Sequence, residues 1–328
     1  MPSRNNHRAL SAPSLEDIRL AQKRIAGIAL RTPLIRLEVD SAPGEIYLKM
    51  ENLQPIGSFK IRPALNAILS APAESTARGV YTASSGNMAQ GVAYSALQLG
   101  LEATVLLPDH APQSKVTALE RQGAIIKYLS DEDWWQVLLN HGHPDEKGLF
   151  IHPVSNRDVL AGDATVGAEI YEDLPDVDTV VVPFGGGGLS CGIASAFRAL
   201  KPDTRIIAAE SAHCAPLRAS LAKACPTDVP CPASFISGIG TGTVLADMWP
   251  IISEMLDKTV VVSIEEIVDT IRLLFSRNRI IAEGAGAAPV AAALAGRAGG
   301  GKIVCVVSGG NLDAKYMIDI LQGKIPVV

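Results

Sequence analysis

Short apolar runs rich in β-branched residues recur along this chain. After each comes a longer stretch in which apolar positions return at helical spacing. Leu15, Ile18, Gln22, Ile25 and Ile28 share one face of a first helix, which Ser14 can cap and Thr32-Pro33 ends. A strand over 45–50 leads into a Gly57-Ser58 turn. Residues 61–69 then read as a helix with Pro63 in its first turn. A regular alternation follows: strands at 80–83, 103–107 and 124–129, and helices at 87–99, 113–122 and 131–140. His141-Gly142-His143-Pro144 breaks it. After Pro153 a second set supplies strands at 179–182, 205–209, 259–262 and 302–307, with helices between them. The last predicted element is a short helix near Asp319, and no C-terminal regulatory domain is expected. No repeat of solenoid length and no low-complexity tail is present. The pattern predicts an α/β fold of two doubly wound parallel-sheet domains.

In such folds ligands bind at the carboxyl ends of strands. Four segments fall just after predicted strands: Lys60 with its preceding Phe59, Ser84-Ser85-Gly86-Asn87, Gly185 to Gly188, and Ser308-Gly309-Gly310-Asn311. Lys60 alone would be an ordinary surface lysine. The four placed together predict one pocket for a phosphorylated, planar aldehyde. Val180-Val181-Val182-Pro183-Phe184 runs into the four glycines, and Leu189-Ser190-Cys191-Gly192 starts a helix. Backbone N–H groups there can converge on an anion, with the helix dipole in support.

Bulk properties narrow the reading. With 328 residues the chain has room for two domains sharing a cleft. Mean hydropathy of +0.22 and a charged fraction of 19% give a globular chain with ample core. A net charge of −5 and the lack of a dense Lys/Arg block argue against a nucleic-acid partner. The first residues, MPSRNNHRALSAPS, lack the apolar segment of a signal peptide. The Ala-rich run after Ile280 is broken by Glu283 and glycines, so it reads as a buried helix and no membrane partner is expected. The five cysteines, Cys191, Cys214, Cys225, Cys231 and Cys305, include no Cys-x-x-Cys and read as reduced thiols of a cytoplasmic protein.

Three rival motifs fail on detail. Gly-x-Gly-x-x-Gly is not completed, because Gly185 and Gly187 lead to Ser190 and Gly186 and Gly188 lead to Cys191. Gly188-Leu189-Ser190-Cys191-Gly192 fits a hydrolase elbow, but His213 is the one histidine downstream and lies three residues past Glu210. Gly296 to Lys302 resembles a phosphate loop, but Ile303 replaces the Ser/Thr and the lysine precedes its strand. Trp134-Trp135 reads as core or cleft packing, and His110 and His152 as loop residues. Glu283 reads either as a helix-start carboxylate or as a neighbour of the ligand.

Five segments carry a family resemblance. They are Gly57-Ser58-Phe59-Lys60-Ile61-Arg62, Ser84-Ser85-Gly86-Asn87, Gly185-Gly186-Gly187-Gly188-Leu189, Glu283-Gly284-Ala285-Gly286 and Ser308-Gly309-Gly310-Asn311. Together they resemble the fold-type II pyridoxal-phosphate enzymes, in the threonine/serine dehydratase and serine racemase family, over nearly the whole chain. The resemblance implies a tryptophan synthase beta-like architecture. Residues 1–52 and 153–328 would form a large cofactor-binding domain, residues 53–152 a small substrate-binding domain, with pyridoxal 5′-phosphate in the cleft. It implies that Lys60 forms the Schiff base, Phe59 lies near the cofactor ring and Asn87 bonds its 3′ oxygen. Gly185, Gly186, Gly187 and Gly188, with Leu189, would hold the phosphate, and Ser308 would face the pyridine nitrogen. Ser84, Ser85, Gly86 and Asn87 would take the carboxylate of a small-molecule amino acid, beside Met88.

The implied activity is a lyase that removes water from a β-hydroxy-α-amino acid (threonine, serine or a bulkier one such as phenylserine) to give a keto acid and ammonia. A neutral Ser308 hydroxyl makes the ring a weaker electron sink, which suits prompt elimination. A racemase on the same scaffold is the alternative, with Ser85 opposite Lys60, and a non-catalytic sensor is the third reading. Homo-oligomerisation is left open. Met88 stands where the family usually has histidine and Pro63 where it has glycine. Glu210 matches one ligand of the family's divalent-cation site. Pro216 stands where its aspartate is expected, which puts a cation requirement in doubt. The segment Ile236 to Thr243 looks closer to the branch with phenylserine dehydratase and a hydroxyectoine-utilisation dehydratase.

Overall fold

A run such as Thr-Val-Val-Val-Pro can sit between two layers of helices because it offers no polar side to water, and Thr179–Pro183 is buried at every position. It lies inside a six-stranded sheet in the computed structural model, which describes residues 10–111 and 113–328. Residues 1–9, for which no signal peptide is expected, lie outside the described residues.

Along the first half run α1 (Leu15–Ile25), β1 (Leu34–Arg36), β2 (Glu45–Lys49), α2 (Ile61–Ser70), α3 (Ala73–Thr76), β3 (Val80–Ala83), α4 (Asn87–Leu99), β4 (Ala103–Pro108), α5 (Gln113–Arg121), β5 (Ile125–Leu129), α6 (Asp131–Leu139) and β6 (Leu149–Phe150). The second half has α7 (Arg157–Asp173), β7 (Thr179–Pro183), α8 (Gly188–Leu200), β8 (Arg205–Ser211), α9 (Pro216–Lys223), α10 (Trp249–Met255), β9 (Lys258–Val262), α11 (Ile264–Asn278), α12 (Gly284–Leu294), β10 (Lys302–Val306) and α13 (Ala314–Leu321).

The larger sheet has the order β1-β2-β10-β7-β8-β9 and the smaller β5-β4-β3-β6. All pairings are parallel except β1 with β2. The α/β architecture expected from the alternating pattern is the observed one. The Ala-rich run forms α12, whose residues 284–293 are all buried; small side chains let it lie close against β7 and β10. Among the described residues no helix is long and apolar enough to cross a membrane.

Three local expectations need correction. The first helix stops at Ile25, because Gly27 takes a left-handed φ of +86° and turns the chain away before Ile28. β1 and β6 are strands the pattern did not predict, being three and two residues long. The cysteines are not all thiols: Cys214 and Cys231 form a disulfide with Cα atoms 4.7 Å apart. The turn after β8 and the Pro-rich loop beyond α9 bring them together, a meeting that their spacing of 17 residues does not announce. Cys191, Cys225 and Cys305 remain free.

Charge is buried at one point of the frame. Arg62, in the first turn of α2, is 1% exposed. Its Nε and one terminal nitrogen donate to the two oxygens of Glu51, each at 2.8 Å. The terminal nitrogens also donate to Glu169 of α7 at 2.7 and 2.8 Å, and to Leu30 O and Thr165 Oγ1. Lys49 Nζ, fully buried, donates to Glu169 at 2.6 Å and Thr32 O at 2.7 Å. Burial alone would raise the Glu51 pKa, but the Arg62 guanidinium more than offsets it and holds the carboxyl below its ordinary value. Removing one member of such a network strands the others without compensation. Arg62→Ala is expected to lower stability by about 3–5 kcal/mol, read as the shift in urea unfolding midpoint. Arg62→Lys should recover only part of this, since an ammonium lacks the planar fork.

Candidate active site

The strand ends of the two sheets face a cavity of about 920 Å³. Phe59, Lys60, Ser84 to Met88, Gly185 to Leu189 and Ser308 all line it, so every site residue predicted above reaches it except Glu210. Glu210 is fully buried elsewhere. Its carboxylate accepts from Leu217 N (2.7 Å), Arg218 N (2.9 Å) and Thr259 Oγ1 (2.8 Å), which commits it to the N-terminus of α9. These three hydrogen bonds anchor it to the start of α9 and the neighbouring strand.

Lys60 is held by a splice between distant parts of the chain. Ser58 bridges Gly309, and Phe59 N donates to Ser308 O at 3.0 Å. α2 begins immediately after Lys60. The side chain is half-buried and points its amine at Pro153 O, 2.8 Å away. Nζ also stands 5.0 Å from the centre of the Phe59 ring. Burial lowers the pKa of this amine, and the Asp163 carboxyl opposes the shift. The net direction favours a neutral amine, the form that attacks a carbonyl.

Across the cavity, Ser190 Oγ donates back to Pro183 O at 3.3 Å and so ties the first turn of α8 to the end of β7. Gly187 has a φ of +91°, and a Cβ there would meet Ile252 Cδ1 at 2.8 Å. A Cβ on Gly186 would meet Val154 Cγ2 at 2.6 Å. The loop therefore has no room for side chains, and its amides together with the α8 N-terminus make an anion cradle. Ser308 follows β10 and is 2% exposed.

After β3, Gly86 N donates to Ser84 Oγ at 3.2 Å, and α4 starts at Asn87. Asn87 Nδ2 donates to Glu283 Oε1 at 2.8 Å, and its Oδ1 accepts from Asn311 Nδ2 at 2.8 Å. Glu283 thus belongs to the cavity wall. Burial raises its pKa to about 7, against the Asn87 hydrogen bond that lowers it. Two further groups were underrated by sequence reasoning. His152 is 2% exposed and lines the cavity; its Nδ1 accepts from Val154 N (3.0 Å) and Ser155 N (2.6 Å). Burial pushes its pKa down to about 3, so the ring is neutral. Asp163, from the middle of α7, lies against Gly188 and carried no sequence signal beyond its charge. Trp134 and Trp135 both line the cleft, as packing residues should, with Trp134 Nε1 fixed on Leu106 O at 3.0 Å.

Residues 25–309 match the family model described as pyridoxal-phosphate dependent enzyme. The chain is 43% identical over 282 residues to an L-threonine ammonia-lyase of Geobacter sulfurreducens, spanning 84% of this chain and 70% of the relative. It is 40% identical over 319 residues to an L-threonine ammonia-lyase of Thermotoga maritima, spanning 95% and 78%. Among solved structures, maize serine racemase superposes with a TM-score of 0.87 at 32% identity, covering 95% of this chain and 98% of that one. The processed form of threonine deaminase isoform 2 from Solanum lycopersicum gives 0.84 at 28% identity, covering 95% and 90%.

The cradle makes a direct prediction. Gly187→Ala forces a side chain into the left-handed region at a strain of about 1–2 kcal/mol. It is expected to lower the unfolding midpoint by that strain and, because the loop must shift away from Ile252, to weaken binding of a phosphorylated ligand roughly tenfold by calorimetry.

Proposed function

Because the chain belongs to the pyridoxal-phosphate-dependent enzyme family, we propose that it is a dehydratase, an ammonia-lyase that eliminates water from a β-hydroxy-α-amino acid to give a keto acid and ammonia. One observation carries the reading: an amine biased toward neutrality, Lys60, shares a cavity with a side-chain-free anion cradle and a neutral hydroxyl, Ser308. The residues present fit the cofactor, since Gly185 to Gly188 line the cavity at the start of α8 and put no side chain between it and their backbone N–H groups. The similarity to two L-threonine ammonia-lyases points the same way.

When bound, pyridoxal phosphate supplies an electron-withdrawing ring that acidifies the substrate Cα–H. The remaining roles belong to the chain. Gly185 to Gly188, with Leu189, would bind the phosphate through backbone N–H groups, and Phe59 would flank the ring. Ser84, Ser85, Gly86 and Asn87 bind the substrate carboxylate at the start of α4, with Met88 in the wall behind. Asn87, braced by Glu283 and Asn311, would hold the hydroxyl oxygen of the cofactor. Lys60 would hold the cofactor covalently and, as a free amine, would take the proton from Cα. Ser308 would offer the cofactor's pyridine nitrogen a hydroxyl and no negative charge, a weaker support for negative charge on the ring than a carboxylate and one that suits elimination. In this reading residues 1–52 and 153–328 hold the cofactor and 53–152 the substrate. The enzyme works in the cytoplasm on threonine, serine or a bulkier 3-hydroxy amino acid, alone or as a homo-oligomer.

The purified protein is expected to absorb visible light and to lose that band in Lys60→Ala. Borohydride reduction should place the pyridoxyl group on the peptide carrying Lys60; recovery on another lysine would reject the assignment. Incubation of single enantiomers of β-hydroxy amino acids in deuterated water should release keto acid. Labelled mirror-image amino acid without keto acid would instead favour a racemase that uses Ser85. Ser308→Asp is expected to retain cofactor and slow keto-acid release by about tenfold or more, and an unchanged rate would count against the neutral-hydroxyl role.

A further inference from the structure

Asp163 is a carboxyl group in an unusual place. It is fully buried in α7, and among the described residues neither of its oxygens has a hydrogen-bond partner. Leaving such a group unpaired is costly and calls for an explanation. Three close approaches locate it. One residue earlier, a Cβ on Gly162 would meet Pro63 Cα at 2.5 Å and Arg62 O at 2.7 Å, so α7 presses on the backbone just past Lys60. On the other side, a Cβ on Gly188 would meet Asp163 Oδ2 at 3.0 Å and one on Gly192 would meet Asp163 Cβ at 2.6 Å. Third, Val154 lies at the same Gly188 position (3.6 Å), next to Pro153, whose carbonyl holds Lys60 Nζ. Asp163 therefore sits between the anion cradle and the lysine.

The groups that face it are Lys60, Arg62, Glu51 and Cys191. Arg62 and Glu51 are bonded to one another and to their own network. Burial raises the Cys191 thiol pKa, so that group stays protonated. Lys60 is left as the neighbour whose charge nothing else balances, with a backbone carbonyl as its hydrogen-bond partner.

We propose that Asp163 is the proton partner of Lys60: it takes the proton that the ammonium sheds when the amine becomes a nucleophile, and returns it when the amine is set free. The exchange balances, because one Nζ–H bond breaks as one Oδ–H bond forms and the reverse step restores both. The two groups are not hydrogen-bonded here, so transfer follows rotation of the Lys60 side chain off Pro153 O. Burial favours the uncharged form at both positions, lowering Lys60 and raising Asp163, while each ion favours the other's charge. A neutral Asp163 also keeps negative charge away from the underside of a cradle that binds phosphate. Asp163 acts through Lys60 and is a positioning residue, not one that touches substrate.

The proposal rests on Lys60 as the attachment point, which the borohydride mapping tests separately. The probe is pyridoxal phosphate added to cofactor-stripped protein, with the rate of visible-band recovery followed against pH. Below its inflection the wild-type rate should fall about tenfold per pH unit, because both members of the pair are then protonated. Asp163→Asn removes the group that takes the proton, so the amine must shed it to solvent and the inflection should move to higher pH by about one unit or more. Asp163→Glu should restore an inflection close to wild type. A carboxyl group present only for packing would leave the inflection of the Asn variant unmoved, and that result would overturn the proposal. A second measurement needs no variant. With carbon-13 aspartate, the infrared difference spectrum on cofactor attachment should show a protonated aspartate carboxyl band that Glu283 cannot supply. Its absence would equally overturn the proposal.

Discussion

Everything at the catalytic end of this molecule hangs on the buried guanidinium of Arg62. It holds Glu51, nine residues before Lys60, and Glu169 of α7, more than a hundred residues later. Lys60 lies between the two anchored points, so the backbone that presents its amine is clamped from both sides. The clamp is specific because the guanidinium donates in one plane, and Lys49 shares the second carboxylate. Hydrophobic packing could hold α2 and α7 together as tightly. It would not fix their register in the same way, since apolar contact is not directional.

Around Lys60 the cleft carries little charge of its own, although Lys115, Asp228 and Asp313 also line the cavity. Burial drives the amine of Lys60 and the ring of His152 toward their neutral forms, and it raises Glu283 into the neutral range. Near the lysine stand directed dipoles: the amides of the glycine loop, the start of α4 and the hydroxyl of Ser308. Dipoles fixed by the fold do not reorganise as charge moves, and that is the condition under which electrostatics assists a reaction. The phosphate and the substrate carboxylate bring the negative charge to such a site. Asp163 fits the same logic, because a carboxyl group beneath an anion cradle is tolerable only when it can hold a proton.

Much of the frame was legible in the chain. β3 and α4 fall on their predicted bounds, and the central strands of the large sheet agree within two residues at either end. Their apolar runs are buried on both faces, so local pattern and tertiary demand coincide. The short edge strands β1 and β6 escaped because two or three residues carry no periodicity to detect. The cavity residues were found because loops after parallel strands converge, whatever their side chains. The Asn87–Glu283–Asn311 hydrogen bonds, the enclosure of His152 and the Cys214–Cys231 pairing were not, because each depends on distances between remote segments.

By itself, then, the order of residues determined the alternating elements, the chemistry held at each strand end and the family those motifs resemble. These follow from short-range rules of periodicity, turn formation and glycine sterics. Tertiary structure alone decided which carboxyl groups are spent and which are free. Glu210 matched a ligand pattern and its carboxylate caps a helix, while Asp163 matched nothing and, among the described residues, has no hydrogen-bond partner. The physical reason is that a carboxyl group's role depends on its desolvation and on what stands within hydrogen-bonding reach, and both are set only when distant helices close around it.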